Sequence, residues 1–155
     1  MRPLLKRYRI FLLLAALMPG LAGAQGSLLM ARSQQAFPEA MLTLQESIAA
    51  HGYKVARVQR VDIGLTSAGF ETDKYRIVFY GKTDEIQRLT REHPQLVPYL
   101  PLSFSIFAEG DQTLVVAMSP TYLAHAHPEP ELETLFARWE SDVMSILSDM
   151  RESSG

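Results

Sequence analysis

A stripe near the C-terminus constrains this chain more than any other feature. Leu132, Leu135, Phe136, Trp139, Val143, Ile146, Leu147 and Met150 recur at spacings of three and four, the period of one face of an α-helix. Glu129, Glu131 and Glu133 crowd its start, where negative charge complements the helix dipole. A helix with so long an apolar face draws its stability from packing, so it needs an apolar surface of matching length. The remaining sequence has to supply that surface.

The clearest source is a hairpin. Leu102, Phe104 and Ile106 alternate with Ser103 and Ser105, Glu109-Gly-Asp-Gln112 turns, and Leu114, Val116 and Met118 alternate back before Pro120. Upstream, Ser27 to Arg32 reads as a first short strand. Phe37, Met41, Leu44 and Ile48 have helical spacing, with Pro38 in the first turn, Glu39 near the positive pole and Gly52 as the stop. Tyr53 to Val61 is rich in β-branched residues and reads as a strand, but Val55 and Val58 fall on opposite faces, so a bulge or an edge position is expected. Asp62 to Thr72, with Gly64, Ser67 and Gly69, reads as a loop. Lys74 to Tyr80 alternates as a strand ended by Gly81. Thr83 is placed to cap a short helix through His93, which Pro94 stops. Gln95 to Pro101 and Tyr122 to Pro128 read as connections. The order is β-α-β-β-α-β-β-α, which implies an α+β domain: one antiparallel sheet with helices mostly on one face.

The N-terminus reads as an address. Arg2, Lys6, Arg7 and Arg9 precede the apolar run Ile10–Met18, Pro19-Gly20 breaks it, and Ala22-Gly23-Ala24 offers a small-x-small cleavage site. This is the pattern of a secretory signal peptide over residues 1–24. The run is too short for a membrane anchor, which needs about 20 apolar residues. The expectation is a soluble periplasmic or secreted protein, with no membrane anchor after cleavage and a single domain over 25–155.

Removing 24 of the 155 residues leaves 131, with 11 basic and 17 acidic side chains and hence a net charge of −6. Net negative, evenly mixed charge disfavours nucleic acid and anionic membranes. The chain has no cysteine. That excludes a disulfide framework, a thiolate metal site, a thiol nucleophile and a lipoprotein anchor.

The ordered set of segments resembles the family known as domain of unknown function 302. The resemblance is carried by Ile48-Ala-Ala-His-Gly52, the strand Tyr53 to Val61, Leu65-Thr-Ser-Ala-Gly-Phe70 and Tyr75-Arg-Ile-Val-Phe79. It continues through His93-Pro-Gln-Leu-Val-Pro-Tyr-Leu-Pro101, the hairpin and Val116-Ala-Met-Ser-Pro120. It covers most of residues 35–150. It implies a small α+β domain, a homodimer, often exported or joined to other domains, with no established activity. The sequence departs from the family pattern at Tyr80-Gly81, where Asn-Pro is common, and at Leu102, where Cys is common. A thiol-dependent role therefore does not carry over.

Candidate chemistry is sparse. His125-Ala-His127, with Glu129 and Glu131 behind it, is the one metal-like cluster. Two imidazoles can contribute to a zinc or copper site, but no spacing fixes a third ligand, so a solvated loop with no tight metal site is expected. Ser67 lacks the spacing of a nucleophile elbow. Asp62 and Asp73 flank the same loop and read as turn formers rather than paired acids. His51, before Gly52, is placed to cap carbonyls at a helix end. Gly64 and Gly69 do not form a phosphate-cradling pattern. Tyr53, Tyr75, Phe79 and Tyr80 are able to line a ligand groove, although sheet aromatics are more often core.

No catalytic residue and no cofactor is assigned. The reading is an exported ligand-binding or interaction module rather than an enzyme. The alternative is a periplasmic metal- or redox-accessory protein using His125 and His127, and a small hydrolase is a remote third. A homodimer is expected from the resemblance and from a strand edge that such a sheet has to protect. Exported material should begin at Gln25, checked by intact mass. Retention of Met1 in the bulk of that material would refute the leader.

Overall fold

The computed structural model describes residues 26–153. Residues 1–24, read above as a leader, lie outside the described residues. The elements run β1 (Leu28–Ser33), α1 (Phe37–Ala50), β2 (Lys54–Arg60), α2 (Val61–Ser67), β3 (Tyr75–Gly81), α3 (Thr83–Glu92), a 3₁₀ turn (Pro94–Tyr99), β4 (Leu102–Glu109), β5 (Gln112–Met118), a second 3₁₀ turn (Pro120–His125) and α4 (Pro130–Glu152). The five strands form one antiparallel sheet in the order β1-β5-β4-β3-β2.

The C-terminal stripe builds the core. Val143, Ile146, Leu147 and Met150 of α4 pack with Phe37, Ala40, Leu44 and Ile48 of α1 over the inner face of the sheet. That face supplies Ala31, Val78, Tyr80, Phe104, Ile106, Val115 and Ala117. The first half of α4 makes a second cluster: Leu132, Phe136 and Trp139 pack with Leu89 of α3 and with Leu96 and Leu123 of the two 3₁₀ turns. One helix thus joins two cores, which is why its apolar run is so long.

β2 is both an edge strand and bulged between Val55 and Arg57. The bulge sets Val55 opposite Tyr80 and Val58 opposite Val78, so two valines of conflicting parity come to the same face. Gly81 ends β3 because α3 crosses close above it. A Cβ there would lie 2.3 Å from the Ile86 Cδ1 atom.

Four local expectations are corrected. Residues Val61–Ser67, expected as loop, form the short helix α2, with Ser67 Oγ donating to the Ile63 carbonyl one turn back; the turn residues Gly64 and Ser67 are carried within it. Thr83 is the first helical residue and not the cap; Lys82 takes the cap position with no side-chain bond. The connections Gln95 to Pro101 and Tyr122 to Pro128 contain 3₁₀ turns. In β5 the buried residues are Thr113, Val115 and Ala117, not the alternating set Leu114, Val116 and Met118. Gln112–Met118 is apolar on both faces, so periodicity could not choose between them. Instead, the turn at Gly110, with φ of 62°, pairs Glu109 with Gln112 and hence Ile106 with Val115. The set Leu114, Val116 and Met118 faces away from the helices.

Trp139 is 2% exposed, is the only tryptophan, and its indole N–H donates to Glu85 Oε1 at 2.9 Å. Trp139→Ala should cost about 3–5 kcal/mol in chemical denaturation. The wild-type indole should emit at a blue-shifted wavelength that moves red on unfolding.

Candidate functional site

Among the described residues, a partly enclosed concavity of about 310 Å³, lined mainly by apolar side chains, lies at the end of the sheet where β3 finishes and β4 begins. Phe79 and Tyr80 of β3, Leu100 and Leu102 around Pro101, Leu123 of the second 3₁₀ turn and Val143 of α4 contribute to its walls. The prolines at 98 and 101 hold the approach to β4 off the sheet, which leaves the space. Its volume sits at the small end of the range for ligand sites.

Tyr80 is the polar feature of this cavity that matters chemically. Its side chain is 1% exposed, stacked on Phe104 with ring centroids 5.0 Å apart and edge-on to Tyr53 at 5.3 Å. Burial, then the nearby Tyr53 and Asp142, push its phenol well above the ordinary tyrosine value, so it stays neutral and can donate. No described residue bonds its hydroxyl.

Beside the cavity lies a polar seam. Arg138 pairs with Glu85 and reaches Asp142 at 3.6 Å. Asp142 Oδ2 accepts from the Tyr53 hydroxyl at 2.5 Å, and the Lys82 ammonium sits 4.5 Å above the Tyr53 ring centre. Burial and then the Asp142 bond push the Tyr53 phenol far up. Arg138, Glu85 and Asp142 pair among themselves and Lys82 lies over the Tyr53 ring, so the seam ties α3 and α4 to the residue that leads into β2.

Of the cavity and seam residues, the sequence singled out Tyr53, Phe79, Tyr80 and Leu102 and missed Arg138 and Asp142. The available signals were Arg138 and Asp142 at i, i+4, on either side of Trp139. A second missed carboxylate is Glu140: Oε2 accepts from Ser119 Oγ at 2.5 Å and from the Thr121 N–H and hydroxyl at 3.0 and 2.7 Å.

The sequence candidates disperse. His125 is exposed, with Nδ1 3.0 Å from the Tyr122 carbonyl and its ring against Tyr122. His127 turns to Tyr99, edge-on at 5.7 Å, with Nε2 buried and unpartnered. Glu131 lies 3.7 Å from His93 and 3.9 Å from Arg88. Among the described residues no three His, Asp or Glu gather as metal ligands. The His51 side chain caps no carbonyl; its Nε2 lies 3.1 Å from Asp149 Oδ2, which also accepts from Ser47 Oγ at 2.5 Å. The carboxylate sits between the other two, whereas an acyl-transfer relay needs the imidazole there. Asp62 pairs with Arg76, whose guanidinium holds its carboxyl below the usual range. Asp73 accepts from the Lys74 N–H, as a turn former does. Tyr75 and Phe79 lie on the outer face of the sheet, opposite Phe107 and Ser103.

Comparison with known proteins agrees with this architecture. The family model described as "Domain of unknown function DUF302" matches residues 30–150. The chain belongs to the DUF302 family. The crystal structure of an uncharacterized conserved DUF302 protein from Bacillus stearothermophilus superposes with a TM-score of 0.73 at 21% identity, over 81% of this chain and 98% of that one. At that identity the likeness concerns the fold. None of the curated proteins matches. Both positions at which the sequence departs from the DUF302 pattern, Tyr80 and Leu102, line the cavity.

Glu140 generates a pH prediction. Desolvation raises its carboxyl, but the Ser119 hydroxyl and the Thr121 N–H and hydroxyl together hold it below the ordinary value. A folded-state value below the unfolded one makes the unfolded chain bind more protons in acid. The stabilisation is therefore full above the ordinary Glu value of about 4.3 and is lost as pH falls through the lower folded value. Glu140→Gln should lower stability at neutral pH and flatten the acid limb of stability against pH. Urea titrations at several pH values read both effects.

Proposed function

We propose that this DUF302 protein is an exported binding module that holds a small, mostly apolar ligand in the cavity beneath Tyr80. The reading rests on one observation: a neutral phenol, 1% exposed and with no hydrogen bond to a described residue, lines a mainly apolar concavity of ligand size. A ligand carrying one hydroxyl, carbonyl or amide would give that hydroxyl the bond the protein withholds, while its apolar body replaces water against Leu100, Leu102 and Val143. The phenol can donate or accept, so it orients the ligand by a single contact. Export is supported by the basic, apolar and small-residue order of residues 1–24. The cavity walls supply no base next to a nucleophile, and binding needs neither.

A ligand that binds only the folded state raises the unfolding temperature. A thermal-shift screen of phenol, indole, benzyl alcohol and short-chain amides and alcohols should give hits, and titration calorimetry should then place them. Tyr80→Phe should weaken those hits by about tenfold, the worth of one hydrogen bond, and leave the free protein no less stable, since no partner is lost. Hits unchanged by Tyr80→Phe would remove Tyr80 as the anchor, and a screen without hits would remove the reading.

A further inference from the structure

The cavity reaches the face of the sheet opposite to α1 and α4. Phe79, Ser103 and Met118 line it. All three point to that outer face, because their strand neighbours Val78, Phe104 and Ala117 are buried in the core beneath the helices. From there a shallow valley follows β4, the central strand of the five. Ser103 and Ser105 form its floor. Phe79 and Ile77 of β3 stand opposite them on one side. Val116 of β5 stands opposite Ser105 on the other, with Met118 two residues further on. The valley stops at Phe107, whose ring meets Tyr75 edge-on with centroids 6.1 Å apart. On the reading that the cavity binds a ligand, we infer that this ligand is a short extended peptide, with one side chain in the cavity and its backbone laid along β4.

The repeat of the floor carries this choice of ligand. Side chains on one face of a strand recur every second residue, so Ser103 and Ser105 are about 6.6 Å apart at ~3.3 Å per residue. An extended peptide presents a backbone N–H and C=O on one edge with the same repeat. Neither serine hydroxyl bonds a described residue, and a hydroxyl both donates and accepts. A peptide laid edge-down on β4 therefore sets one backbone N–H and C=O pair over each serine. From Ser103 to Phe107 the valley runs about 13 Å, room for about four extended residues.

The walls fit the same occupant. β3 and β5 lie on either side of β4, so their ridges are about 9.6 Å apart. A peptide standing on its edge sends successive side chains left and right, alternately toward Phe79 and Ile77 and toward Val116 and Met118. Apolar side chains there leave water for apolar partners. None of these wall or floor residues carries a charge, which selects an uncharged segment. An alkyl chain would meet the walls equally well, but it would strip water from both serine hydroxyls and return no bond, and that loss opposes its binding.

The test is titration calorimetry of the purified protein with four probes. Acetyl-tyrosinamide fills the cavity alone. Two acetylated, amidated pentapeptides of alternating valine and alanine carry one tyrosine, first in one and last in the other. Decan-1-ol is the alkyl control. One pentapeptide should bind at least tenfold more tightly than acetyl-tyrosinamide. Ser105→Ala should weaken it about fivefold, the worth of one hydrogen bond. Ser105→Phe, which blocks the valley, should bring it down to the level of acetyl-tyrosinamide. Neither change should affect acetyl-tyrosinamide, since Ser105 does not line the cavity, and both variants should keep the wild-type circular dichroism. Ser105→Ala carries the test should the larger side chain disturb the sheet. Tyrosinamide binding that depends on Tyr80, with no gain for either pentapeptide, would overturn the inference and leave the cavity reading standing. A pentapeptide whose gain survives Ser105→Phe would also overturn it, by placing the backbone elsewhere. Decan-1-ol that gains as much as the peptide, loses it in Ser105→Phe and ignores Ser105→Ala would replace the peptide with an alkyl chain. Binding by none of the four would remove both readings.

Discussion

The structure depends on the docking of one long helix across the end of a one-sided sheet. Helix α4 buries Val143 to Met150 over the strands and Leu132 to Trp139 beyond them. Trp139 stands where the two clusters part, and its indole bond to Glu85 fixes α3 to the same helix. Without that contact the second cluster would be three short elements with little to hold them, since a ten-residue helix such as α3 is marginal alone. The polar seam of Arg138, Glu85, Asp142 and Tyr53 then sets the register of α4 against β2. The apolar contacts supply the stabilisation, and the paired charges select one arrangement among several of similar burial.

This docking also creates the cavity. Val143 of α4 belongs to the first cluster, and Leu100 and Leu102 on the other side pack against the second. The concavity is the gap left where two cores meet and neither fills the space. Tyr80 lines it from the side of the first core, to which β3 belongs.

What the sequence disclosed follows from the range over which each signal acts. The stripe of α4, the Pro38 and Gly52 limits of α1 and the β4–β5 turn are local periodicities or breakers, and they read correctly. The facing of β5 was not local. Leu114 to Met118 is apolar at every position, and only the hairpin register decides which set turns inward. Helix α2 was obscured by Gly64 and Ser67, which weigh against a helix on propensity yet sit in one at the surface. The cavity drew on residues from 79 to 143 that no spacing relates, and Tyr80 was legible only as one aromatic among four. Glu140 was hidden for a similar reason: its three donors come from Ser119 and Thr121, across a loop. His125 and His127 show the converse, a suggestive spacing whose two rings turn to different neighbours.

The bond from Arg151 to the Met30 carbonyl has a bearing on how the chain is made. It ties the first strand to the last helical turn, and β1 pairs with no strand but β5. A chain emerging from the ribosome therefore cannot finish its sheet before residue 118 is free, and cannot roof that sheet before α4 has followed. Every shorter intermediate exposes apolar surface on both sides of an incomplete sheet. Closure of this domain waits for its last helix, across a separation of 121 residues between Met30 and Arg151. Such long-range closure is slow relative to local helix formation. Until α4 is available, the inner face of the sheet has no cover from it.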